Sequence, residues 1–238
     1  MKRLHRDGLY TWSRIDDERD LDFNTTVWAR ADGCVVVDPL PLSPHDEEHL
    51  RKLGGVSLIV VTNSDHTRAT VELRALFAGA RVAAPGSERD AITAKLGNVT
   101  VDRWLGDGDV VVAGMRALAL HGSKTPGELA LVVDSAVVDS AGADGAKPGI
   151  PASAKPRRLS GGMALAEPTA PHPGSCVLIT GDLVRAPRAC ALATLPAAKL
   201  ADPAAARASL RRLAELPLEA VLVGDGWPLF ADCRAHMQ

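Results

Sequence analysis

The chain has 238 residues, 46% hydrophobic and 24% charged, enough for one compact domain with a sizeable core. Its 27 basic and 29 acidic residues leave a formal charge of −2, so composition makes no electrostatic case for nucleic acid or an anionic membrane as partner. No run approaches the roughly 18 apolar residues of a membrane span, the opening MKRLHRDGLYTW lacks a signal peptide's apolar stretch, and Cys34, Cys176, Cys190 and Cys233 form no CxxC pair; a cytoplasmic location is expected.

The first elements are strands. Residues 9–15, 23–30 and 34–38 carry aromatic or β-branched side chains, and Ala31-Asp32-Gly33 between the last two is a hairpin signal. Ser43 and Pro44 then suit the N-cap and first position of a helix. Asp46 and Glu47 favour its positive end, and Gly54-Gly55 stops it. Residues 57–62 (SLIVVT) are a continuous apolar run, as in a strand covered on both faces. A helix follows over 67–78, with Val71, Leu73, Leu76 and Phe77 expected to face inward and Gly79 as its stop. A strand at 81–84 and a helix at 87–96 continue the alternation.

From Thr100 the rhythm changes. Residues 104–109 read as a turn-rich approach to strands at 110–113, 116–120, 129–133 and 177–180, an antiparallel succession. A last helix opens at Asp202-Pro203 and feeds a strand at 220–223. This order predicts two mixed sheets with helices outside, in a single domain spanning 1–238. Residues from about 140 to 175, rich in Ala, Gly, Pro and Ser, cannot bury enough to offset their ordering entropy. They are expected to be a flexible insertion in a hairpin, whose tip points away from Lys124 and Asp182.

Four short motifs stand at predicted strand ends, where an α/β scaffold usually places its site: Val61-Thr62-Asn63-Ser64-Asp65-His66, His121-Gly122-Ser123-Lys124-Thr125-Pro126-Gly127-Glu128, Thr180-Gly181-Asp182 and Gly224-Asp225-Gly226-Trp227. Each alone has an ordinary use as a cap, a turn or a solvated charge. In this order they resemble the metallo-β-lactamase fold family, an αββα sandwich that includes many metal-dependent hydrolases. The family's HxHxDH signature falls on residues 61–66 and its GHTPG motif on 123–127. Its Gly-Asp falls on Gly181-Asp182 and its late Gly-His-Gly on 224–226. Residues 35–38 followed by Pro39 are similar to its early strand ending in Asp.

The departures carry equal weight. The resemblance implies a first metal held by three histidines, but those positions are Val61, Asn63 and Lys124, none a good ligand. For the second metal it implies Asp65, His66, Asp182 and Asp225, the last replacing a histidine. An oxygen-rich set favours Mn, Fe(II) or Mg without excluding Zn. Three aspartates and Lys124 sum to −2. One divalent metal would neutralise that, or His66 becomes charged and one carboxyl keeps its proton.

Two readings of function follow. In one, the protein is a single-metal hydrolase of a small ester, thioester, lactone or phosphoester. Asp65 and Lys124 take part in catalysis, with Lys124 stabilising oxyanion charge where the first metal normally would. In the other, no metal is bound, and a Lys124-centred ion network holds a non-catalytic binding or scaffold domain together. Arg185 is the candidate for an anionic substrate group and Trp227 for a pocket wall. Arg68 reads as solvated surface charge, and nothing specific supports a role for His121.

Overall fold

The computed structural model describes residues 1–138, 174–230 and 233; the expected insertion at 140–175 therefore lies almost wholly outside the described residues. A seven-stranded sheet forms first, in chain order: β1 (Lys2–Arg3), β2 (Leu9–Asp16), β3 (Leu21–Trp28), β4 (Cys34–Val37), β5 (Val56–Val60), β6 (Arg81–Pro85) and β7 (Arg103–Leu105). Its β1–β4 portion is antiparallel, and β4 through β7 run parallel. Helices α1 (Pro44–Lys52), α2 (Thr70–Leu76) and α3 (Arg89–Leu96) make the crossovers. The second sheet contains β8 (Val110–Val112), β9 (Met115–Ala119), β10 (Leu129–Asp134) and β11 (Cys176–Thr180). A small ribbon of β12 (Val184–Arg188) and β13 (Ala191–Thr194) follows, then α4 (Pro203–Ala214). The closing strand β14 (Leu218–Val223) pairs parallel to β11, giving the sheet order β14-β11-β10-β9-β8.

Three apolar layers hold these parts together. Val35 and Val37 on β4 and Leu58 and Val60 on β5 face Leu129, Leu131, Val177, Ile179 and Leu222 of the second sheet. The alternate residues Val36, Ile59 and Val61 point the other way and meet Leu50, Leu73, Ile92 and Leu96. On the far side Leu178, Val221 and Val223 meet Ala206 and Leu213 of α4. The chain is thus a layered αββα sandwich, as expected. The apolar run of β5 is unbroken because both of its faces are covered.

Ser43 caps α1 by accepting from the Asp46 amide, and Asp202 caps α4 by accepting from Ala204 and Ala205. Other expectations are corrected. The helix expected over 67–78 is shortened to α2, Thr70–Leu76, and a separate 3-10 turn, Ser64–His66, precedes it. Leu73 and Phe77, four residues apart, share its buried face; Val71 and Leu76 lie off that face and are exposed. The helix expected over 87–96 begins only at Arg89, behind a 3-10 turn at Gly86–Glu88. Residues 103–105 are an edge strand rather than part of a turn, since pairing with Ala83–Pro85 supplies the order that three residues cannot encode. The β12–β13 ribbon, with Pro187 inside it and Cys190 at φ 58, carries no alternation to announce it. Among the described residues, no helix is long and apolar enough to cross a membrane.

The topology decides where chemistry gathers. β4, β5, β11 and β14 all deliver their C-terminal ends to one edge of the sandwich. There Leu129 N donates to Thr62 O (2.8 Å), Asn24 N to Gly224 O (2.8 Å) and Gly226 N to Asp22 O (2.7 Å), tying the two sheets together.

Candidate functional site

Asp38, directly after β4, sits in the left-handed region at φ 50 and is buried. Its carboxylate accepts from Thr62 N (2.8 Å), Thr62 Oγ1 (2.6 Å) and His66 Nδ1 (2.7 Å). This fixes the turn after β5 and the plane of the His66 ring. In the same turn Asn63 accepts from Asp65 N through Oδ1 (2.9 Å) and donates from Nδ2 to Asp182 Oδ2 (3.0 Å).

Asp182 is buried among donors. Lys124 Nζ lies 3.0 Å from its Oδ1, and His66 Nε2 3.6 Å from its Oδ2. Burial alone would raise its pKa, but His66 and Lys124 hold it far below the usual carboxylate range. The same aspartates act on Lys124: burial lowers its pKa, while Asp182 and Asp65 more than reverse this and keep it charged. The amine thus points at both Asp182 and Asp65.

Asp65 has a different environment from the one expected of a metal ligand. Its Oδ1 meets Lys95 Nζ of α3 at 2.8 Å and its Oδ2 meets Lys124 Nζ at 3.1 Å, with the side chain 41% exposed. Lys95 also donates to Ser64 O (2.8 Å). The pair of lysines, Lys95 foremost, lowers the Asp65 pKa.

Asp225 is buried and shared by two guanidiniums. Arg68 Nη2 approaches its Oδ1 at 3.2 Å and Arg185 Nη2 its Oδ2 at 3.3 Å. Burial raises the Asp225 pKa, and Asp182 adds to that rise against the pull of His66 and the arginines. The expectation that Arg68 is solvated surface charge is corrected: only 12% of its side chain is exposed, and Nη2 also lies 3.0 Å from His66 Nε2. Arg185 faces Asp225 rather than open solvent. Trp227 keeps its indole outside, 54% exposed, while its backbone N donates to Ala186 O. His121 is exposed and exchanges hydrogen bonds with Ser209 of α4 through its backbone.

The protonation of His66 is set by opposed neighbours. Burial disfavours the imidazolium, whereas Asp38 and Asp182 favour it and raise the pKa above its ordinary value. Arg68 works against them, since its positive charge lies beside the ring. Arg68 Nη2 lies 3.0 Å from Nε2, and Asp38 Oδ2 lies 2.7 Å from Nδ1.

Two buried glutamates brace the loops from behind. Glu88 accepts from Ser64 N (2.8 Å) and Gly127 N (3.0 Å), joining the His66 turn to the Lys124 loop. Glu128 accepts from Ser123 Oγ (2.6 Å) and Leu183 N (2.9 Å), joining that loop to the Asp182 turn. Burial, with Asp182 nearby, pushes the Glu128 pKa up from 4.5 to about 7. Between those values the folded chain retains a proton that the unfolded chain has released. Stability from this group is therefore full below 4.5 and declines as pH rises through 7. Glu128→Gln is expected to flatten the fall in melting temperature between pH 5 and 8 by roughly 5 °C, read from circular-dichroism melts across that range.

His66, Asp182 and Asp225 place one ligand atom each within 4.8 Å of one another. As donors they suit a divalent ion, but His66 Nε2 and Asp225 Oδ1 are already engaged by Arg68 and Asp182 Oδ1 by Lys124. The charge sum differs from the −2 expected. Asp38, Asp65, Asp182 and Asp225 are matched in number by Lys95, Lys124, Arg68 and Arg185. The residue set does not fit the family's two-metal centre.

A sequence model described as metallo-beta-lactamase superfamily matches residues 1–143 and 159–238. Among solved structures, the chain is similar to a metallo-beta-lactamase from Pontibacter korlensis at 13% identity and a TM-score of 0.60, covering 96% of this chain and 90% of that one. A metallo-beta-lactamase family protein from Thermus thermophilus aligns at 19% identity and 0.58, over 97% and 77%. A protein from Cronobacter sakazakii described by a HARLDQ motif aligns at 14% and 0.56, over 92% and 78%. Among curated proteins, none matches this chain.

Proposed function

The chain belongs to the metallo-beta-lactamase superfamily, and from that premise we propose that it is a divergent member which has given up two-metal hydrolysis and keeps the hydrolase-like fold as a binding domain. The observation that carries this reading is the position of Lys124. Its ammonium lies between Asp182 (3.0 Å) and Asp65 (3.1 Å), in the motif position where the family supplies a metal-binding histidine. Val61 has no ligand atom, and Asn63 spends its amide on Asp182. A permanent cation at that place neutralises the carboxylates and repels a divalent ion.

In this reading Asp65, Asp182 and Lys124 are parts of an ion network that holds the strand ends of both sheets. Arg185 secures Asp225, and the exposed indole of Trp227 is the surface offered to a small-molecule ligand. The convergence of His66, Asp182 and Asp225 favours a second reading, a hydrolase with one divalent metal on those three residues. Such a metal would supply a water of lowered pKa, with Lys124 beside it to stabilise oxyanion charge.

Elemental analysis of the purified protein, before and after incubation with Mn, Fe(II) and Zn, separates the two. The binding-domain reading expects metal well below one equivalent and no hydrolysis in an esterase and phosphodiesterase screen. One equivalent in the wild type, lost in His66→Gln, would overturn it in favour of the single-metal hydrolase.

A further inference from the structure

The second metal position raises a question that Lys124 does not answer, since three donors converge there. Arg68 answers it. Its backbone is held at φ 35, in the left-handed region that non-glycine residues rarely adopt and that persists only where the surroundings over-determine it. The surroundings are specific. Nη1 donates to Asn24 O at 3.2 Å, and the guanidinium lies over the Phe23 ring, 5.1 Å from its centroid. Nη2 is thereby directed at His66 Nε2 (3.0 Å) and Asp225 Oδ1 (3.2 Å). Asp38 binds the Nδ1 side of the same ring at 2.7 Å, so the ring nitrogen that would face a metal, Nε2, is the one facing Arg68.

We propose that Arg68 is the built-in cation of the second metal position, and that His66, Asp182 and Asp225 form a latent metal site which its guanidinium keeps closed. This rests on the reading that the centre works without metals and extends it from Lys124 to the other half of the site. A guanidinium suits the place. It is planar, permanently charged and carries enough N–H groups to serve the imidazole, the carboxylate and the Asn24 carbonyl together. A metal bound to His66 and Asp225 would need the same two donor atoms, so ion and guanidinium exclude each other. The contacts also come from both sheets: Phe23 and Asn24 from the first, Asp225 from the end of β14 in the second. Arg68 therefore does the cross-linking between sheets that a shared metal ion would otherwise do.

The test is zinc binding by isothermal titration calorimetry and by elemental analysis after dialysis, on wild type, Arg68→Gly and Arg68→Asn, with folding checked by far-ultraviolet circular dichroism. Glycine relaxes the left-handed backbone and asparagine tolerates it, so neither variant adds strain at this position. The expected result is one zinc equivalent in both variants, bound at least roughly tenfold more tightly than by wild type, and lost again when His66→Gln is added. Folded variants that bind zinc no better than wild type would overturn the role of Arg68 and leave the Lys124 reading standing. One equivalent held by wild type as tightly as by Arg68→Gly would overturn both and support the single-metal hydrolase. The wild-type titration stands by itself if either variant folds poorly.

Discussion

Asp182→Ala is expected to lower the melting temperature by roughly 10 °C at pH 7. The carboxylate is buried and receives Lys124 at 3.0 Å, Asn63 Nδ2 at 3.0 Å and His66 at 3.6 Å. Removing one partner of a buried ion pair leaves the other charge uncompensated and costs about 3–5 kcal/mol. In a domain of this length each kcal/mol moves the midpoint by roughly 2–4 °C. Asp182→Asn, which keeps an acceptor oxygen for Lys124, is expected to lose less. The sign of the pH dependence follows from the depressed Asp182 pKa. Its contribution is present above the ordinary carboxylate pKa and disappears as pH falls below it, so wild type and variant should converge in acid. Melts with and without chelator complete the measurement. A variant melting within a degree or two of wild type would contradict the network, and a wild-type midpoint that drops on chelation would favour a bound metal.

The other large effect is expected at Gly226. Here φ is 100, and a Cβ would overlap the carbonyl oxygen and carbon of Ala186. The backbone is crowded for a reason: Gly226 N donates to Asp22 O, and Trp227 N donates to the same Ala186 oxygen. Three segments, β3, β12 and the turn after β14, meet there without side chains between them. Gly226→Ala must displace backbone rather than a flexible side chain, and the neighbouring Asp225 would move with it. A loss of more than about 4 kcal/mol is expected, seen as poor soluble yield or a melting temperature lowered by more than roughly 10 °C. Gly97→Ala is the control. It too has positive φ, 58, but nothing lies within 4 Å of the added Cβ, so only the backbone strain, about 1–3 kcal/mol, is expected. Equal losses at the two positions would show that packing at Gly226 does not matter.

Much of the site's location is legible in the sequence, and less of its wiring. The motifs ending β5, β11 and β14 and the Lys124 loop do come together, because each follows a strand whose direction the β-α alternation implies. Lys124 does reach Asp182 and Asp65. The motif position of Asp65 makes it an expected metal ligand; the structure turns it instead toward Lys95 and Lys124. Arg68 reads as an ordinary exposed cation, as nothing in Thr67-Arg68-Ala69 announces a left-handed residue folded back on its own histidine. Lys95 and Glu88 lie on or beside α3 and carry no local mark of function. Their roles exist only because α3 packs beside the Ser64–His66 turn.

What the sequence by itself determined is the layered αββα architecture and the order of its strand-end motifs. Alternating burial, caps such as Ser43 and Asp202, and glycine stops act over a few residues, so their signal survives in one dimension. What only the tertiary structure decided is which charged groups meet at the site. Whether three aspartates await a metal or are already neutralised depends on how far long basic side chains reach through space. The cations that face them come from α3, from the turn before α2 and from β12, positions that no local pattern connects.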